Sequence, residues 1–383
     1  LEKFAFIIHP IDVRRDVARH KKYRLAQYLP EPWVEHFIKR KDPLVASHIT
    51  GVRSITGAEA EGWFIVCPLS PRQFLTLDTE FVYHRLVQCG KIAEELGAGI
   101  IGLGAFTSVV GDGGVSVAKE LKIAVTTGNS YTVATAIEAA LDGARRMGID
   151  IPAASAAVVG ASGSIGLTCA EILGKEVARL ALAGRDQSRL EEAHAGLPAE
   201  VVAKATVYTE IPKALKDADI VVTVTSAVDV VIQPEDLKTG AVVCDVARPR
   251  DVSTRVAKER DDVLVIEGGV VSVPGDVDFR FNFGFPPKMA YACMSETMML
   301  ALEGRYESFT LGKTVSVHQV EETQRLAKKH GFHLAGYRSF EKAVTDQQID
   351  EIKANAARRA SQVAMLPKTK PARLRRPASE KAS

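Results

Sequence analysis

Ala156-Ala157-Val158-Val159-Gly160-Ala161-Ser162-Gly163-Ser164-Ile165-Gly166 is the stretch on which the reading of this chain turns. An apolar run leads into three glycines and then opens a helical pattern, the context a dinucleotide-binding turn requires. Gly160 permits the tight turn, Gly163 lets the backbone approach a pyrophosphate, and Gly166 lets helix and strand pack closely. The helix N-terminus presents unpaired N–H groups to phosphate. Gly160, Ser162, Gly163, Ser164, Ile165 and Gly166 are therefore the expected cofactor contacts. The GxxGxxG spacing is a variant frequent in NADP-binding proteins. The bland alternative is a glycine-rich turn without a ligand.

Outward from this turn, strand and helix alternate. Strands are expected at Ser155–Gly160, Arg179–Ala183, Val201–Tyr208, Ile220–Thr225, Ala241–Val246 and Val263–Ile266, with helices at 164–175, 186–195 and 211–217. That rhythm predicts a doubly wound parallel sheet, a Rossmann domain over about 151–287. The second strand ends in Gly184-Arg185-Asp186. An acid there would bind the ribose of NAD, whereas an Arg favours the 2′-phosphate of NADP. Arg185, with Arg189 one turn later, points to NADPH, although Asp186 keeps the ribose alternative open. Thr225 and Ser226 close the fourth strand on the cofactor edge.

Residues 1–150 read as a mixed α/β domain. Short apolar runs at Phe4–Ile8, Gly62–Leu69, Gly99–Ala105 and Ile123–Thr127 are expected strands, and Phe81–Leu96 and Tyr131–Met147 are expected helices. After Phe285-Pro286-Pro287 a helix is expected to run to about Glu303, with another over 318–331. These C-terminal helices, 288–355, would pack back on the body. From about Ala356 the chain turns basic and Pro-rich and reads as a disordered tail.

Formal net charge is +2 and charged residues are 25%, which gives nothing in favour of nucleic acid. The charge is uneven. Six Lys/Arg and one acid lie after Leu366, and Arg14, Arg15, Arg19, Lys21, Lys22 and Arg24 cluster near the start. The N-terminal cluster reads first as a solvated helix face and second as a dock for an acidic partner. The tail offers a route to peripheral membrane contact. Five widely spaced cysteines with no CxxC pair argue against a disulfide framework and a structural zinc, and no metal is expected. A reducing cytoplasm is the natural compartment. No secretory signal pattern appears, and no apolar run approaches the roughly 18 residues a span needs.

A Rossmann domain does not name a reaction. On spacing alone Cys293 reads first as a core cysteine and second as a nucleophile. Cys244 is its rival, and Cys169 belongs with the phosphate-binding helix. The four Phe of Asp278-Phe279-Arg280-Phe281-Asn282-Phe283-Gly284-Phe285 alternate, so an extended segment would place them on one face, either against the core or as an apolar wall.

Several stretches together resemble the long-chain acyl-ACP reductases that form fatty aldehydes. They are Gly102-Leu103-Gly104-Ala105-Phe106-Thr107-Ser108, Thr126-Thr127-Gly128-Asn129-Ser130-Tyr131-Thr132, the glycine turn, Gly268-Gly269-Val270-Val271, Asp276-Val277-Asp278-Phe279, and Met289-Ala290-Tyr291-Ala292-Cys293-Met294-Ser295-Glu296-Thr297-Met298. The resemblance covers roughly residues 60–335. It implies an NADPH-dependent reduction in which the Cys matching Cys293 takes the acyl group as a thioester. It further implies acyl carrier protein or acyl-CoA as substrate carrier, with the basic segment Arg14–Arg24 as a docking region. Asn129 and Ser130, or backbone N–H groups over 102–108 and 126–129, are the expected oxyanion donors. Rival readings are a dehydrogenase of the shikimate or glutamyl-tRNA reductase type, the latter with Cys67 or Cys89 reactive, and an NADPH-binding protein without catalysis.

Overall fold

A computed structural model describes residues 1–365 except 20, 248 and 283. Two six-stranded sheets dominate it. The first is built from β1 (Glu2–Ile8), β2 (Leu44–Arg53), β3 (Glu59–Val66), β4 (Ile100–Gly102) and β5 (Ala124–Thr126), and is completed by a strand from much later in the chain. β1, β3, β4 and β5 run parallel, and β2 runs antiparallel to β3. The second holds β6 (Ser155–Val159), β7 (Arg179–Ala183), β8 (Ala205–Tyr208), β9 (Ile220–Thr223), β10 (Val242–Asp245) and β11 (Leu264–Glu267), in the order β11-β10-β9-β6-β7-β8.

All pairings in the second sheet are parallel. Its strand order reverses direction between β6 and β9, the switch point at which such sheets bind ligands. All five residues of β6, and all four each of β9, β10 and β11, are buried. That matches strands covered on both faces, whose sequence is apolar without alternation. The doubly wound Rossmann arrangement expected from the βαβ rhythm is present, preceded by the mixed α/β unit and followed by helices that pack back.

The C-terminal segments tie the two halves together. After β12 (Val270–Ser272), β13 (Gly275–Asp278) leaves the Rossmann half and pairs antiparallel with β2 of the first sheet. The close approach demands glycine on both sides. A Cβ on Gly51 would lie 2.2 Å from the Asp276 carbonyl oxygen, and one on Gly275 would lie 2.4 Å from that of Gly51. The Asn129–Met147 helix packs on β9, β10 and β11 and also touches the Ala292–Leu302 helix, which lies on β1, β3 and β4. One apolar cluster consequently runs through both halves, from Phe4, Phe6 and Phe64 to Val158, Val222 and Ile266.

The helix expected from Pro287 begins later. Met289–Tyr291 forms β14, paired antiparallel with β12, and the helix starts at Ala292, whose N–H donates to Gly269 O at 2.7 Å. Lys288 at φ 63 breaks any continuous helical path from the prolines. This moves Cys293 from the second turn of the expected helix into the first. At the other end, the Asp346–Met365 helix runs nine residues past Ala356 before the chain leaves the described region. The basic residues after Leu366 lie outside it. Among the described residues no helix is long and apolar enough to cross a membrane.

Candidate active site

The carboxyl ends of both sheets open on one cleft of about 1730 Å³. From the Rossmann half it is lined by Gly160, Ser162, Gly163, Ser164, Ile165, Gly166, Arg185, Thr225 and Ser226; from the other side by Gly104, Ala105, Asn129 and Cys293. The cofactor residues expected from sequence and the expected cysteine thus face the same space. Ser130 does not line it.

The glycine turn is shaped by different demands at its three glycines. Gly160 has φ 87, and a Cβ there would press on the Val224–Thr225 backbone at 3.1–3.2 Å. At Gly166 a Cβ would fall 2.1 Å from Gly160 O. At Gly163 it would meet only Gly160 O at 3.4 Å, an ordinary contact, and the residue is exposed on the cleft. The fold itself needs glycine at Gly160 and Gly166. At Gly163 the bare backbone suits a close-lying pyrophosphate, at the start of the Ser164–Glu176 helix. The residues present fit a dinucleotide.

At the adenosine end, Arg185 is exposed on the cleft. Asp186 Oδ1 accepts the Arg189 N–H at 3.1 Å and caps the Gln187–Ala195 helix, and the residue is also exposed on the cleft. Thr225 is held by Asp251, a fully buried carboxylate that accepts the Thr225 N–H at 3.0 Å and hydroxyls from Thr223 and Thr225.

Cys293 is the second residue of the Ala292–Leu302 helix and half-buried. Two glycine loops clasp it. A Cβ on Gly128 would sit 2.3 Å from both Cα and Cβ of Cys293, and one on Gly104 would sit 3.3 Å from its Sγ. Gly128, at φ 74, also opens the Asn129–Met147 helix. The carboxyl end of β4, the 126–129 loop and the cysteine helix therefore meet at backbone distance. Next to Gly104, Ala105 adopts φ 47, ψ −126, and Thr107 N–H bonds Gly104 O at 3.1 Å. This is a type II′ turn with a non-glycine at its strained position.

One turn after the cysteine, fully buried Glu296 fastens this junction. Its oxygens accept from Thr126 Oγ1 at 2.5 Å, Ser130 Oγ at 2.7 Å, the Tyr131 N–H at 2.9 Å and Thr310 Oγ1 at 3.2 Å. Burial raises the carboxyl above its usual range, and the four donors pull the other way. Asn129 is buried, lines the cleft, and its carboxamide forms no hydrogen bond among the described residues.

The other cysteines are placed differently. Cys67 and Cys89 are fully buried in the second apolar cluster, and Cys169 and Cys244 in the first. None of the four lines the cleft. Burial, with Cys244 nearby, pushes the Cys169 thiol far up. Among the described residues no three His, Cys, Asp or Glu side chains converge as a metal site.

The Phe-rich segment is not a strand beyond Asp278, since Arg280 turns to φ 47. Phe279 and Phe281 both pack on Phe64, at 6.0 and 5.8 Å, and Phe285 on Tyr291 at 4.6 Å. Phe281 and Phe285 line the cleft, Phe279 belongs to the core, and Phe283 lies outside the described residues. The sequence reading passed over His9. It follows β1, lines the cleft, packs tilted against Phe74 and edge-on to Phe106, and donates from Nδ1 to Pro10 O at 3.0 Å. Burial lowers its pKa, against the Pro10 bond and Asp16.

Residues 143–267 match the shikimate/quinate 5-dehydrogenase family. The chain is 31% identical over 360 residues to the aminotransferase PigE of Serratia sp., covering 92% of this chain and 42% of that protein. It thus spans less than half the length of that relative. It is 28% identical over 340 residues to a long-chain acyl-[acyl-carrier-protein] reductase of Synechococcus elongatus, covering 84% of this chain and 95% of that one. Among solved structures, the L-tryptophan dehydrogenase of Nostoc punctiforme is similar at 12% identity and a TM-score of 0.39, over 94% of this chain and 89% of that one. By the family match, residues 143–267 are a nicotinamide-dinucleotide-binding, dehydrogenase-type domain, joined to an α/β unit whose glycine loops hold a cysteine in the shared cleft.

Proposed function

We propose that the protein reduces an acyl thioester, carried by acyl carrier protein or coenzyme A, to an aldehyde with NADPH. The observation that carries this reading is that Cys293 and the dinucleotide turn line one cleft. A thiol at a helix N-terminus sits in the positive end of the helix dipole, which favours the thiolate. Cys293 Sγ attacks the thioester carbonyl, a new C–S bond forms, the bond to the carrier sulfur breaks, and the carrier leaves as a thiolate that takes a proton from solvent. Bound NADPH, held by the glycine turn and Arg185, would supply a hydride equivalent for the enzyme-bound acyl carbon. The C–S bond to Cys293 then breaks, and aldehyde and the Cys293 thiolate are released. Asn129 donates to the carbonyl oxygen as negative charge develops. Ser130, tied to Glu296, is a positioning residue. Phe281 and Phe285 give the acyl chain an apolar wall. Arg185, exposed on the cleft with Arg189 one turn later, takes the 2′-phosphate. Arg15 and Arg19 at the cleft mouth, with Arg14, steer an acidic carrier.

Intact-protein mass spectrometry with an acyl-CoA or acyl-ACP and no NADPH tests this. The expected result is one acyl adduct, mapped by digestion to Cys293, which disappears on adding NADPH with release of aldehyde. A Cys293→Ala enzyme that still forms aldehyde at the parental rate overturns the reading.

A further inference from the structure

Apolar exposure is concentrated in one place on this molecule. Of the sixteen large hydrophobic residues exposed among the described residues, eight lie between Ile11 and Val45. Leu25 is 73% exposed, Tyr28 78% and Trp33 69%. This segment comprises the Val13–Ala18, Lys21–Tyr28 and Glu31–Ile38 helices around their own small core of Val13, Ala26, Val34 and Ile38. The inward side of the Glu31–Ile38 helix is thus satisfied by Val34 and Ile38, while Trp33 and Phe37, one turn apart, face out. Nothing in this arrangement requires the outward residues for folding.

Cations surround these side chains. Residues 11–45 contain nine Lys/Arg against five Asp/Glu, within a chain whose formal charge is only +2. Lys41 Nζ lies 4.5 Å from the Phe37 ring centroid and Lys22 Nζ 5.9 Å from that of Tyr23, whose ring meets Phe37 at 5.5 Å. Trp and Tyr interleaved with Lys and Arg are the residues that settle at the headgroup level of a bilayer, rings among the acyl carbons and cations at the phosphates. A second copy of this chain is a poor occupant, because a two-fold contact would set a basic patch against itself. The same segment borders the cleft through Tyr23, Phe37, Leu44 and Val45.

We infer that the 11–45 segment docks the protein on an anionic lipid bilayer, with Leu25, Tyr28 and Trp33 inserted at the interface and Lys22, Arg24, Arg40 and Lys41 on the phosphates. The inference stands on this surface and not on the reaction. If the reaction is as proposed, docking places the cleft mouth against the membrane, and an acyl chain or aldehyde passes between the two without crossing water.

The chain has two tryptophans, Trp33 and Trp63. A Trp63→Phe full chain therefore reports from Trp33 alone. It is mixed with vesicles of phosphatidylcholine, with and without phosphatidylglycerol, and followed by co-sedimentation and emission. The expected result is sedimentation with the anionic vesicles, a blue shift of Trp33 emission, and weakening of both by salt. In the parent chain, Leu25→Ser with Trp33→Ser lowers the partition coefficient at least about tenfold, while turnover of a short, soluble thioester is unchanged. Equal partition to neutral and anionic vesicles, or none to either, overturns the inference. So does a Trp33 blue shift produced without lipid by acyl carrier protein or by self-association, if the vesicles produce none. Vesicle binding by a Cys293→Ala chain separates this result from the fate of the proposed reaction.

Discussion

Ser130 Oγ donates to Glu296 Oε2 at 2.7 Å across 166 residues of chain, and through this bond the first turn of the Asn129–Met147 helix is fastened to the helix that carries Cys293. The carboxylate sits one turn beyond the cysteine, so its donors fix the cysteine's surroundings without touching a substrate. Removing one donor leaves the others; removing the carboxylate strands four. Ser130→Ala is expected to cost about 1–2 kcal/mol. Glu296→Leu is expected to cost about 3–5 kcal/mol, because several buried donors lose their partner at once. Glu296→Gln falls between, since its oxygen can keep Ser130 and the Tyr131 N–H while the hydroxyls of Thr126 and Thr310 rotate to accept from its NH₂. Urea denaturation of the single and double variants checks this. A coupling near zero between Ser130→Ala and Glu296→Leu would show that the two residues act separately.

Gly128 carries a harsher demand. Its φ of 74 is unfavourable for a side chain, and a Cβ would overlap Cα and Cβ of Cys293 at 2.3 Å. Backbone and cysteine cannot both stay in place. Gly128→Ala is therefore expected to destabilise the chain by about 2 kcal/mol or more and to change the rate at which Cys293 reacts with iodoacetamide. Gly284→Ala is the matched control. It too has positive φ, at 94, but nothing lies within 4 Å of its Cβ, so only the backbone term should appear.

What the sequence made legible follows from periodicity. β6, β9 and β10 are buried on both faces, so their apolar runs stood out, and the glycine turn fixed the switch point between them. β2 escaped notice because its ten residues, Leu44–Arg53, mix polar and apolar side chains along a half-covered hairpin. The start of the cysteine helix was misplaced because Pro286-Pro287 are good first-turn residues, whereas pairing of β14 with β12 outweighed that local preference. Ser130 looked like a site residue by its place in the motif. Its partner Glu296 lies far along the chain, and no local pattern joins them. His9 gave no signal, since a lone histidine after a strand is ordinary until the fold sets it in a cleft.

The glycine turn separates folding from binding. Gly166→Ala is expected to fold poorly, since its Cβ would lie 2.1 Å from Gly160 O. Gly163→Val is expected to keep the melting temperature within a few degrees while weakening NADPH binding, because the added bulk meets the ligand rather than the protein. Arg185→Ala is expected to weaken NADPH by about 10–100-fold, the worth of one charge-assisted contact of about 1.5–3 kcal/mol, and to leave NADH nearly unchanged. Titration of intrinsic fluorescence with each cofactor checks all three. Equal losses for NADH and NADPH in Arg185→Ala would remove the 2′-phosphate assignment.

His9 makes stability depend on pH in a stated direction. Its Nδ1 donates to the Pro10 carbonyl, which can only accept, so the neutral ring has its lone pair on Nε2. Burial lowers its pKa from the ordinary 6.5. Between that value and the lower folded one, the unfolded chain binds a proton that the folded chain does not. Stability therefore falls as pH drops through this window, with a slope of at most about 1.4 kcal/mol per pH unit from this group, and levels off below the folded pKa. His330, also lowered by burial, contributes in the same sense. The difference between the parent and His9→Asn isolates the His9 share. Urea midpoints measured from neutral to mildly acidic pH should fall less steeply for His9→Asn. Parallel curves would mean that His9 titrates alike in the folded and unfolded chains.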